Sequence, residues 1–282
     1  MNLIFDILTT AAILYIVAAG LLLVYGVMKI INFAHGAFLT IGAYASLVAS
    51  QVGLPPVAGF LVALIAGALF GLVIERFVLR PLYSRPLDAI LATWGLAIVI
   101  GQVITLVFGR EVQFVPSPIH GTIALLGTEY SAYRLVLILI ALIVGGALAI
   151  LLTRTRVGLV TRAVILNEQL AQGLGIHAQF VRFLTFALGA GIASLAGALI
   201  TPLSAVDPNM GVPWLINAFM LVMVSGVSMT SLFIATLVFG SAQVIISSYF
   251  SPILGGMAIA VLAAITLRIW PKGFSRLSLI HI

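Results

Sequence analysis

Uncharged runs about twenty residues long decide most of what this chain can fold into. From Leu8 to Met28 no acidic or basic side chain occurs. A helix needs roughly 20 apolar residues to cross a bilayer. It also satisfies its own backbone hydrogen bonds, which lipid cannot do. Only 7% of the 282 residues are charged and the mean hydropathy is +1.30, against about 25% charged residues in soluble domains. The expected fold is therefore all-α, a polytopic transmembrane helix bundle. The length allows many crossings and leaves no room for a sizeable soluble domain. The opening residues MNLIFD hold Asp6 and no basic residue. A cleaved signal peptide starts basic, so Leu8–Met28 is read as a retained first span.

Further spans are expected at Ala34–Ser50, Val57–Leu79, Ala89–Phe108, Tyr133–Leu152 and Arg182–Ile200. Leu215–Trp270 fits three short crossings, or two and a re-entrant piece. Polar loops are expected at Gly109–Ala132 and Thr153–Val181. Arg76, Arg80 and Arg85, then Arg154, Arg156, Arg162 and Arg182, then Arg268, Lys272 and Arg276 are ten of the thirteen basic residues. They fall on one side of the drawn spans, and short basic loops stay cytoplasmic. The net charge of +6 thus reads as topology and not as nucleic-acid binding. It places the N-terminus outside and the C-terminus in the cytoplasm, with about 8–9 spans. Nine satisfies the parity. Residues 1–276 form one membrane domain, and the tail 277–282 carries no chemistry. Gly67, Gly71, Gly189, Gly191, Gly197, Gly255 and Gly256 suit helix packing, because small residues let helices approach in lipid.

One apolar stretch is interrupted. Between Gly20 and Gly42 stand Lys29, Asn32 and His35, and an unpaired buried polar group costs roughly 1–3 kcal/mol. Asn32 and His35 share a helix face if helical. Asn32, Phe33, His35 and Gly36 either line a pathway or break and cap a helix; both readings stay open. Broken helices at membrane depth bind carboxylates at their N-termini. Asp207 and Asn209, in Val206–Gly211, belong to an outer loop that receives a substrate or docking protein, or forms a turn.

Enzyme readings find little support. A nucleotide-binding P-loop needs Gly-Lys-Ser/Thr, whereas Lys29 precedes Ile30 and Lys272 precedes Gly273. Cysteine is absent and the four histidines are scattered at 35, 120, 177 and 281, so no metal or cofactor is expected. No serine is placed against His35 as a protease would need. Ion-coupled carriers use charges inside the membrane, and these spans hold almost none. Arg156–Ile176 reads as one short amphipathic helix, with Val160, Ala163, Val164, Leu166 and Leu170 on its apolar side. Such a side lies on the bilayer or docks on a partner protein.

Five segments carry a resemblance. GVMKIINFAHGAFLTIGAY (26–44), ERFVLRPLYSRP (75–86), LDAILATWGLAIVI (87–100), RTRVGLVTRAVILNEQLAQGLGI (154–176) and TFALGAGIASLAGALITPLSAVDPNMG (185–211) resemble, in order, motifs of the permease subunits of branched-chain (hydrophobic) amino acid ABC importers, the LivH/LivM type. The resemblance implies a bacterial inner-membrane transport subunit that forms the path by alternating access. It implies a second homologous permease subunit, cytoplasmic ATPase subunits and a periplasmic substrate-binding protein as partners, beside membrane lipid. The loop 153–181 would couple to the ATPase through Arg156, Arg162, Asn167, Glu168, Leu174, Gly175 and Ile176. Importers of urea and short amides share this permease type, and a stand-alone carrier or channel is the rival of another class. Where the family has Gly-Gly-x-Gly-Ser, this chain has Ser225-Gly226-Val227-Ser228-Met229. That departure bears on the close packing of the segment.

Overall fold

A computed structural model of the chain describes residues 2–125, 128–271 and 273–274. Lys272, Arg276 and the 277–282 tail lie outside the described residues. The helices are α1 (Asn2–Met28), α2 (His35–Gln51), α3 (Pro56–Ile74), α4 (Pro86–Phe108), α5 (Ala132–Arg154), α6 (Arg156–Leu166), α7 (Glu168–Gly173), α8 (Ala178–Ile200), α9 (Gly211–Ser225), α10 (Met229–Tyr249) and α11 (Pro252–Ile269). α3 runs on through a π-helical turn at Glu75–Leu79 and a 3-10 turn at Arg80–Leu82. Seven helical stretches are long and apolar enough to cross a membrane: α1, α3 with its two turns, α4, α5, α8, α10 and α11. The chain is a multi-pass membrane protein. α2 and α9 are shorter, with 17 and 15 residues. Leu215–Trp270 resolves into the rest of α9 and two further helices.

Helix boundaries follow local chemistry. Proline occupies the first turn of α3, α4 and α11, where its missing N–H has no helical partner to lose. Ser251 caps α11 and Ser228 caps α10 through their hydroxyls. Gly226, the glycine kept in the departing motif, ends α9 at φ +65°, where glycine carries no steric penalty. Ser228 therefore has a capping role at a position where the resemblance implies glycine.

α1 and α8 form the centre and are the most buried spans. α8 is crossed by α1, α2 and α3 at glycines and alanines. A Cβ on Gly42 would fall on the Ser194 carbonyl, and one on Gly197 would fall on the Leu39 carbonyl. Ser194 Oγ donates to the Phe38 carbonyl at 2.7 Å. Gly67 and Gly71 face Ala190, and Gly189 faces Gly20. Gly255 abuts Ser247, but a Cβ on Gly256 would meet nothing within 4 Å. Gly256 is thus no packing position within this chain, contrary to the expectation from its sequence.

Three further expectations change. The chain is not purely helical: Thr122–Leu125 (β1) pairs antiparallel with Thr128–Ser131 (β2) inside the region read as a loop. Tyr130 carries this hairpin to α1, its hydroxyl donating to Asp6 at 3.0 Å, and Arg134 pairs with Asp6 at 2.7 Å. Arg156–Ile176 is two helices rather than one. Asn167 takes an extended conformation and its Oδ1 accepts from the Leu170 amide at 3.0 Å, capping α7. The break turns the expected apolar side apart: Val164 is buried while Leu166 and Leu170 are exposed.

Candidate functional site

α1 ends at Met28, and the next residue, Lys29, is a non-glycine at φ +54°. That region is sparsely populated for ordinary residues and here reverses the chain. Residues 29–34 then climb back along α1. The His35 ring, fully buried, bonds the Val17 carbonyl through Nε2 at 2.9 Å. Val17 precedes the end of α1 by eleven residues, about 16 Å of helix. α2 therefore begins within the bundle. Asn32 Oδ1 accepts from the Ala34 amide at 3.1 Å and closes the turn. Asn32 and His35 thus both bond the backbone at this bend.

α9 begins at the same place. A Cβ on Gly36 would lie 2.9 Å from the Gly211 carbonyl oxygen, so the first residues of α2 and α9 touch. Asp207 accepts from the Asn209 amide at 2.8 Å and shapes the turn that delivers α9. Neither helix has a side-chain cap. In α9 the Val212 amide is taken by the Asn209 carbonyl and Pro213 has none, so the first-turn amides left to other acceptors are chiefly those of α2. α4 closes the side. Phe33 donates its amide to Thr93 Oγ1 at 3.2 Å, and the rings of Phe33 and Trp94 meet edge to face at 5.2 Å.

The result is a groove of about 190 Å³ lined by Phe33, Gly36, Thr40, Trp94, Gly101 and Asn209, among others. Phe33, Gly36 and Asn209 were expected in the path and meet here. Asn32 and His35 lie behind it, and Asp207 sits in the adjoining turn. Thr93, Trp94 and Gly211 lie within stretches quoted from the sequence but were not named as path residues. A threonine and a tryptophan within the uncharged run of α4 were the available signal.

The candidates in the 153–181 loop sit elsewhere. Arg156 and Arg162 are exposed on α6, and Asn167 caps α7. Ile176 donates to Ala171 and Gly175 to Gln172, both at 3.0 Å, with Gly175 at φ +85°. This double closure is the Schellman stop of a helix. Leu174 is left exposed, as are Leu170 and Leu166. Replacing Gly175 by valine is expected to destabilise this corner by about 1–2 kcal/mol. The check is proteolysis within 166–180, which should quicken; an unchanged cleavage rate would contradict it.

A polar chain links this loop to the end of α3. Glu168 pairs with Arg182 of α8. The Arg182 guanidinium lies 4.4 Å from the centre of the Tyr83 ring. Tyr83 donates its hydroxyl to Glu75, a carboxylate buried in the π-helical turn. Burial and the Glu75 carboxylate raise the pKa of Tyr83, so it remains the donor. Glu75, Tyr83 and Arg182 were not expected as site residues. The contacts that make them one unit join segments far apart in the chain.

Residues 3–268 match the family model described as the branched-chain amino acid transport system permease component. The chain belongs to this family. It is 29% identical to the high-affinity branched-chain amino acid transport system permease protein LivH of Salmonella typhimurium, covering 95% of this chain and 93% of that one. It is 27% identical to BraD of Pseudomonas aeruginosa, a high-affinity branched-chain amino acid permease protein, over 78% and 77%. It is 26% identical to the probable branched-chain amino acid permease LivH of Methanocaldococcus jannaschii, over 93% and 88%. Among solved structures, a chain of PsaBC from Streptococcus pneumoniae in complex with Fab shares the fold, with a TM-score of 0.56 at 14% identity and coverage of 98% and 94%. The permease family consists of transport subunits, and the groove and the loop are this permease's candidate functional regions.

Proposed function

We propose that this permease is the membrane subunit of an ATP-driven importer for branched-chain and other hydrophobic amino acids. The observation that carries the reading is the meeting of the uncapped starts of α2 and α9 in one groove inside the bundle. Helix N-termini hold partial positive charge and suit the carboxylate of an amino acid. Trp94, Ile98, Val212 and Leu215 suit an aliphatic side chain. Asn32 and His35 fix the bend, Phe33, Gly36 and Asn209 contact the solute, and Asp207 orients the entrance to α9. The nine longer helices are all crossings, with the N-terminus outside and the basic loops in the bacterial cytoplasm.

A second homologous permease subunit completes the path. Cytoplasmic ATPase subunits dock on the 153–181 loop, where Arg162 and the exposed Leu166, Leu170 and Leu174 face them. A periplasmic binding protein delivers the solute. The chain from Glu168 through Arg182 and Tyr83 to Glu75 carries loop movement to the junction of α3 and α4, and α4 lines the groove. Arg156, Asn167, Gly175 and Ile176 set the shape of the loop.

Gly101 provides the test. Its Cβ would lie 3.8 Å from the nearest backbone atom, ordinary contact, so alanine fits. A leucine there would fill the groove. Gly101→Leu is expected to cut ATP-dependent leucine uptake in proteoliposomes roughly tenfold or more, equivalent to about 1.4 kcal/mol or more. Gly101→Ala should retain uptake, and both should melt like the parent. Normal uptake by the leucine variant would remove the groove from the path. Uptake that persists without ATP would remove the importer reading altogether.

A further inference from the structure

A second cavity lies apart from the groove, between the end of α3 and the start of α8. It measures about 470 Å³ and is lined by Arg76, Arg80, His177, Gln179, Phe180 and Phe183. No carboxylate is among its lining residues. Among the described residues Arg76 and Arg80 form no ion pair with an acid. The Gln179 carboxamide accepts from Arg80 Nη2 at 2.5 Å and orients the guanidinium. Glu75 is buried, does not line the cavity and accepts from Tyr83; it lies within Coulombic range of Arg80 without forming an ion pair with it. α8 starts at this cavity without a side-chain cap, so its first amides add to the positive field.

The wall beside these cations is apolar and open. Phe180 is 60% exposed and Phe77 74% exposed, with Leu184 and Leu188 following along α8. Two guanidiniums over an aromatic floor, at the point where apolar helix surface begins, is the chemistry of an interfacial anionic lipid site. A small soluble anion would use the cations but not the apolar wall. We propose that this cavity binds the phosphate headgroup of an anionic phospholipid, with its acyl chains lying along Phe180, Leu184 and Leu188.

The experiment is native mass spectrometry of the full-length chain extracted in mild detergent and supplied with phosphatidylglycerol or phosphatidylcholine. Phosphatidylglycerol should be retained in clear preference. An arginine near a lipid surface contributes roughly a fivefold gain in affinity, so Arg76→Gln/Arg80→Gln should lose about 25-fold of it. Arg110→Gln, in a loop outside the cavity, should change nothing. Phe180→Ser should weaken long-chain phosphatidylglycerol while sparing a short-chain analogue. Equal retention of the two lipids, or unchanged retention by the double variant, overturns the proposal. So does displacement by millimolar inorganic phosphate, which would mark a plain anion site. If the double variant keeps its lipid but, purified together with its ATPase partner, sheds that partner, the surface docks protein and the proposal fails. A thermal melt matching the parent is the check that the variants are folded, and Arg76→Gln alone, on an exposed side chain, repeats the test with the Arg80–Gln179 contact intact.

Discussion

Gly197→Val is expected to abolish recovery of folded protein. At this position the backbone of α8 rests against the backbone of α2, and the new Cβ would fall on the Leu39 carbonyl oxygen. A side chain can rotate away from a clash, but a carbonyl inside a helix cannot. Overpacking a core with side-chain neighbours costs typically 1–3 kcal/mol, and a backbone clash exceeds that. Total stabilities run to about 5–15 kcal/mol. The same crossing holds Gly42 against the Ser194 carbonyl and the Ser194 hydroxyl on Phe38. The helices cannot separate at Gly197 without losing these contacts. The check is size-exclusion recovery in detergent together with a thermal melt. Gly146→Val is the control, because a Cβ there would meet nothing within 4 Å. Equal losses from the two variants would show that valine in a membrane glycine site is harmful by itself and that the crossing is not special.

The second large effect is expected at Arg182. Its side chain is 15% exposed and that of its partner Glu168 is 30% exposed. Removing one member of a largely buried pair is worth about 3–5 kcal/mol when burial is complete, so Arg182→Met should destabilise by roughly 2–3 kcal/mol. Arg182→Lys keeps the charge but not the flat fork that stacks on Tyr83 while reaching Glu168. It should fold, yet lose most solute-stimulated ATP hydrolysis in the reconstituted importer. The Tyr83–Glu75 contact gives an internal check. Tyr83→Phe leaves a buried carboxylate without its donor, at about 1–3 kcal/mol. Adding Glu75→Leu removes the orphaned group, so the double variant should be more stable than Tyr83→Phe alone. Strict additivity of the two changes would show that the residues do not act as a pair.

Much of this architecture could be read from one chain. Apolar length located the spans, and Pro56, Pro86 and Pro252 mark helix starts. Asn32 and His35 marked an interruption because polar side chains are rare at such depth, but left open whether it was a pathway or a broken helix. Other features depend on distance in space. The contact between Gly36 and Gly211 joins residues 175 positions apart, and no local pattern announces it. Glu75 looked like one acid in a basic motif, since only the fold brings Tyr83 and Arg182 to it. The hairpin was missed because Arg110, Glu111, Pro116 and Pro118 open the region from Gly109 to Ala132 and mark it as a loop. Yet Thr122, Ile123, Thr128 and Tyr130 are strand formers. The single helix expected at Arg156–Ile176 overlooked Asn167, whose short amide competes for backbone donors.

The sparse attachment of α4 has a consequence for how the permease meets its surroundings. Only Ala89, Thr93 and Ile104 of its residues are buried, while Leu87, Leu91, Leu106 and Val107 are more than two-thirds exposed. Its 23 residues extend for about 34 Å, against a hydrocarbon thickness of roughly 30 Å. A helix longer than its bilayer tilts, at fractions of a kcal/mol per Å of mismatch. α1, α2, α3 and α8 are braced by close backbone crossings and resist that adjustment. Bilayer thickness then acts mainly on α4, and through Trp94 and Gly101 on the width of the groove. Membrane composition becomes a rheostat on this transporter.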